Sequence, residues 1–159
     1  MFNKMVNEAI ASKAELINHY DRSKLQAHSA FMQGDQARAS MLYRSAFAMN
    51  KSLILHYSIE SSSLTRCVHA CLDCLDFSLR ESEQAVLYYL QETETLLAGI
   101  IGGCKNKVLR YEALLSYAEI IKASIVFRQQ ACCDNTDMQV LMSRLETVWK
   151  SNACLIKTQ

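Results

Sequence analysis

The residues best equipped for chemistry lie in the stretch CVHACLDC, where Cys67, Cys71 and Cys74 are spaced i, i+4 and i+7 with His69 among them. Thiolates and an imidazole are the ligands of a tetrahedral zinc site. Helical geometry works against that use, because His69 faces well away from Cys74 and the four side chains cannot converge on one ion. Cys67, Cys71 and Cys74 instead continue the apolar stripe of Leu64, Val68, Leu75 and Leu79. A free cysteine on such a stripe packs as a small hydrophobe. Core packing is therefore the expectation, with metal binding through ligands from elsewhere and a redox role as the alternatives. Cys71 and Cys74 also form a C-x-x-C pair, but redox versions sit at a helix N-terminus, where the dipole stabilises a thiolate. This pair falls more than two turns into its predicted helix. For the vicinal Cys132 and Cys133, near a helix end, the expectation is one buried and one exposed.

The remaining candidates are weaker. His19, His28, His56 and His69 are scattered along the chain. His28 precedes SAFMQGD, but Phe31 and Met32 stand where a histidine phosphotransfer helix has lysine and glycine. No serine or cysteine sits in a nucleophile motif with a partnered base. GIIGGCKNK lacks the spacing and the Lys-Ser/Thr ending of a phosphate loop and reads as a turn between helices. Glu92 with Glu94, or Glu112 with Glu119, could pair as acid and base, yet helical glutamates at this density usually form a solvated face. Tyr88, Tyr89, Tyr111 and Tyr117 are a polar-aromatic set that could line a groove, since tyrosine offers area and a hydroxyl together; core packing is the competing expectation. No catalytic, cofactor-binding or metal residue is assigned, and the partner-binding residues are unknown at this level.

The elements that must position these residues are helical. The chain has 159 residues, is 50% hydrophobic and 21% charged, and carries a formal net charge of +1. That balance suits one domain, 1–159, with a real core. It also lacks the basic excess of a nucleic-acid binder. Proline is absent, where average usage would supply about eight. Few breakers leave few places to stop a helix. The apolar phase predicts about six antiparallel helices in three hairpins and no strand. Turns are expected at 34–35, 80–83, 102–104 and 133–136, with a looser break at 61–63. Gly102 and Gly103 are the expected cap of the fourth helix. Asn135 or Thr136 is the expected cap of the sixth. The first helix is predicted to run to about Gln33, with room for a kink at Asp21.

Lys4, Glu8, Lys13 and Glu15 interrupt the apolar runs at the N-terminus, so no secretory signal is predicted. No run approaches the ~18 uncharged apolar residues that span a bilayer. Seven cysteines without an export signal point to a reducing compartment, and a cytoplasmic location is expected.

GDQARASMLYRSAF, Gly34 to Phe47, resembles the turn and second helix of a tetratricopeptide repeat, with Ala39, Tyr43, Ala46 and Phe47 in the family's small-aromatic-small positions. Alanine lets two helices approach closely, and the aromatic fills the groove beside it. Ala27 and Ala30 occupy first-helix positions, with Ala30 in place of the usual aromatic. Ala85 and Tyr89 mark a fainter second copy. The closing proline is missing, and the interval between turns is longer than the usual repeat. The resemblance implies an all-α, right-handed helical array, or a bundle imitating one, that binds a protein or peptide. The resulting expectation is a non-enzymatic adaptor without cofactor, membrane or nucleic-acid partner. The alternatives are a self-associating homodimer and a cysteine-based metal-binding or enzymatic α-domain.

Overall fold

A computed structural model describes the backbone of residues 2–79, 81–130 and 135–156, and the side chains of 12–79, 81–130 and 137–155. The fold is all-α. Among the described residues there are seven helices and no strand: α1 (Phe2–Met32), α2 (Gln36–His56), α3 (Ser61–Ser78), α4 (Glu83–Gly103), α5 (Lys107–Gln130), α6 (Asn135–Ser151) and the short α7 (Ala153–Ile156). They fall into two compact units, Met1–Glu83 and Gln84–Gln159.

In the first unit α1 runs continuously through Asp21 to Met32. Gly34 then turns the chain with φ of 81°, a left-handed conformation that glycine adopts without a Cβ penalty. Asp35 caps α2, its carboxylate accepting from the Arg38 N–H at 3.0 Å. These two residues fold α2 back along α1, and the contact between the two helices is built on alanine. Ala27, Ala30, Ala39 and Ala46 are 0%, 3%, 0% and 1% exposed. At the far end of this hairpin Ser12 and Tyr57 share a hydrogen bond of 2.8 Å. Lys13 there donates to the Ser58 carbonyl at 3.0 Å and pairs with Glu60 at 2.6 Å.

The break between α2 and α3 covers residues 57–60, upstream of the serines expected to make it. Ser61, Ser62 and Ser63 open the new helix instead, because Ser63 Oγ accepts from the Glu60 N–H at 3.2 Å and serves as half of a capping box. α3 then runs parallel to α1: Tyr20 donates to the Arg66 carbonyl at 3.4 Å, and Lys24 pairs with Asp73 at 2.8 Å.

In the second unit α4 and α5 are antiparallel, with Tyr117 on α5 donating to Glu94 on α4 at 3.1 Å. Both expected capping glycines are helical, and neither takes a positive φ. The Cys104 N–H still bonds the Ile100 carbonyl at 2.9 Å. The chain turns only where Asn106 starts α5, its Oδ1 accepting from the Val108 and Leu109 N–H groups at 2.9 and 3.2 Å. Arg110 ties this corner down through the Ile101 carbonyl at 2.8 Å and Asn152 Oδ1 at 2.9 Å. Cys132, Cys133 and Asp134, which include half of the turn expected at 133–136, lie outside the described residues, while 135 and 136 are helical. α6 begins at Asn135, and Leu155 on the short α7 is buried.

Candidate functional site

Cys67, Cys71 and Cys74 all lie in the core of the first unit, and His69 is exposed on another face of α3. Burial pushes the Cys67 and Cys74 thiols up to about 12, the neighbouring Cys71 adding to the effect. Desolvation penalises a thiolate, so these sulfurs are poor nucleophiles at neutral pH. Cys67 is held from α2 by a hydrogen bond with Asn50 that partly offsets the shift. Among the described residues no group of three His, Cys, Asp or Glu side chains is placed to hold a metal ion.

The tyrosine set is not brought together. Tyr89 and Tyr117 are buried, Tyr88 is exposed, and Tyr111 is half-buried. Tyr117 is anchored by Glu94, which also pairs with Arg144 of α6 at 2.7 Å. Burial first, and then the Glu94 charge, push the Tyr117 hydroxyl far above its ordinary value. Glu94, Arg144, Arg128 and Asp137 surround a small cavity of about 140 Å³ in the second unit. Arg128 and Asp137 pair at 2.7 Å. These charges hold α4, α5 and α6 in register and leave little room for a ligand. Glu92 and Glu112 are half-buried and Glu119 is exposed.

The more open site is in the first unit, where the sequence pointed to only some of the participants. His28 and Phe31 of α1, Tyr43 of α2, and Asp73, Asp76 and Phe77 of α3 line a cleft of about 380 Å³. Three elements converge there for local reasons. The Gly34 turn sets Tyr43 alongside the end of α1, and the antiparallel path of α3 relative to α2 returns Phe77 to the same end. Phe77 is the central ring: Phe31 meets it edge-on at 6.0 Å between centroids, and Tyr43 lies tilted over it at 5.3 Å. Edge-to-face and offset rings satisfy the aromatic quadrupoles. Phe31 nonetheless remains 46% exposed.

The polar side of the cleft is acidic. Asp73 and Asp76 are one helical turn apart on α3. Burial raises the Tyr43 hydroxyl above its ordinary value, and the Asp73 and Asp76 charges add to that. Lys24 engages Asp73, while Arg44 on α2 pairs with Glu81 beyond the end of α3. Asp76 makes no hydrogen bond or ion pair among the described residues, and His28 bonds neither carboxylate. The arrangement gathers three rings and two carboxylates around one opening. The signal available in the sequence was the run D-x-x-D-F at 73–77. With Phe31 it becomes a site only once the order of the three helices is known.

No family model matches the chain, and no curated protein and no solved structure is significantly similar to it. No described helix is long and apolar enough to cross a membrane.

Proposed function

We propose that this chain is a non-enzymatic, tetratricopeptide-like helical adaptor that binds a peptide segment of a protein partner through the aromatic cleft of its first unit. The observation that carries this reading is that cleft, with Phe31, Tyr43 and Phe77 assembled from three helices around about 380 Å³. Such a volume accepts one side chain and its neighbours and lies within the usual range for ligand sites. The alanine contact between α1 and α2 supports the repeat-like character, since buried Ala27, Ala39 and Ala46 stand where the resemblance requires small residues. Buried, un-ionised thiols suit a reducing compartment, and we assign the adaptor to the cytoplasm.

Selection of displayed random peptides on the immobilised full chain tests the reading. Enriched peptides should bind wild type and lose most of their affinity for Phe31→Ala, which removes an exposed ring without opening the core. A library that yields nothing above background, or binders indifferent to Phe31, would refute it.

A second reading, self-association, is favoured by one face of α6. Val140 and Val148 lie there with Ser143 and Thr147 along a shallow groove. Solution mass by light scattering decides it: a concentration-independent monomer rules the homodimer out.

A further inference from the structure

We propose that the occupant of the first-unit cleft is a cationic side chain, the ammonium of a lysine or the guanidinium of an arginine carried by the partner peptide, packed against Phe31, Tyr43 and Phe77 and paired with Asp76. This rests on the reading of the cleft as a peptide-binding site.

Four observations converge on a positive ligand. The walls are aromatic, and ring faces attract a cation through their quadrupole. Asp76 is exposed at the cleft and has no cationic partner among the described residues, whereas its neighbour Asp73 is already engaged by Lys24 at 2.8 Å. The cleft also lies beside two helix C-termini. Phe31 belongs to the last turn of α1 and Phe77 to the last turn of α3, and neither turn contains a basic residue. Each helix end carries a partial negative charge of roughly half an electron. Asp76 stands in one of those turns, where like charges repel, so a cation relieves a repulsion present in the free protein. Finally, the chain holds an ammonium of its own in this manner close by: Lys24 Nζ lies against Asp73 and 5.8 Å from the centre of the Tyr20 ring.

Other occupants fit less well. An acidic peptide would meet Asp76 and two negative helix ends. A purely apolar side chain would satisfy the rings, but would cover Asp76 without a partner at the cost of its desolvation.

The displayed-peptide selection tests the cationic occupant separately from the cleft itself. The expected result is enrichment of peptides with lysine or arginine at one fixed position. A synthetic version of the best peptide should bind about tenfold more weakly when its basic residue is replaced by norleucine, since cation–ring and ion-pair attraction are lost together. Asp76→Asn should weaken the basic peptide by about three- to fivefold and leave the norleucine peptide unchanged. Asp76 is exposed and its charge opposes the helix end, so the variant should melt at or slightly above the wild-type temperature. Enriched peptides without a basic position, or a norleucine peptide that binds equally well, would overturn the cationic assignment while leaving the binding cleft intact. Equal binding of the basic peptide to Asp76→Asn would remove Asp76 from the site. An empty selection would overturn the cationic assignment and the binding reading at once.

Discussion

Enlarging Ala39 should be among the most damaging single changes in the first unit. Its side chain is fully buried, and Ala27, Ala30 and Ala46 are buried in the same hairpin. Four small residues in one contact mean that the backbones, not the side chains, set the distance. Leucine at 39 adds three carbon atoms at a position with no exposed surface. Overpacking of this kind costs about 1–3 kcal/mol as the helices are forced apart, and Ala39→Trp should exceed that range. Because α2 also carries Tyr43, displacement of the hairpin should weaken peptide binding along with stability. The control is Met41→Leu, two residues away and exposed, which should change stability by less than about 0.5 kcal/mol. Urea unfolding followed by circular dichroism gives the midpoint and slope for each variant. A midpoint for Ala39→Leu equal to that of Met41→Leu, with an unchanged slope, would show that the helices are not in close contact at Ala39.

Other consequences are equally direct. Cys67, Cys71 and Cys74 should resist thiol labelling in the native state while exposed Cys154 reacts quickly, as read by peptide mass mapping; prompt labelling of the three would disprove their burial. The Cys67 and Cys74 thiols ionise near 9 when unfolded and near 12 when folded, so their contribution to stability is complete below pH 9 and is lost as pH rises toward 12. The unfolding midpoint should fall across that window, and less steeply in Cys67→Ala/Cys74→Ala; identical slopes would contradict the shift. Asn50 is buried with its Oδ1 lacking a hydrogen-bond partner, so Asn50→Leu should stabilise by about 1 kcal/mol, and a lowered midpoint would show that its bond to Cys67 outweighs the orphaned oxygen. Tyr117→Phe removes a hydroxyl bound to the Glu94 carboxylate and should cost about 1–2 kcal/mol; no loss would mean that Arg144 alone satisfies Glu94.

Most of the helical pattern is legible in the residues because its causes are local. The Gly34–Asp35 turn is written in one glycine and one capping carboxylate, and the alanine contact in a spacing. The cysteine stripe follows from its phase alone. Elsewhere the local signals compete. The serines at 61–63 can break a helix or begin one, and Glu60 together with Ser63 decides for beginning. Gly102 and Gly103 can cap a helix or sit within it, and Asn106, through its preference for the N-cap, decides where the turn falls. The cleft is the least legible feature. Phe31, Tyr43 and Phe77 are separated by 12 and 34 positions in sequence, and only the parallel course of α1 and α3 makes them neighbours.

The absence of proline and the brevity of the connections have a kinetic consequence. Slow refolding phases of tens of seconds usually reflect prolyl isomerisation, and this chain has no proline to isomerise. Within the first unit, α1, α2 and α3 are joined by short connections at 33–35 and 57–60, so contacts between successive helices close small loops at low entropic cost. Formation of the α1–α2 hairpin needs only the Gly34 turn and the meeting of its alanines. The cleft draws Phe31, Tyr43 and Phe77 from three successive helices, so it is complete only when all three have packed together.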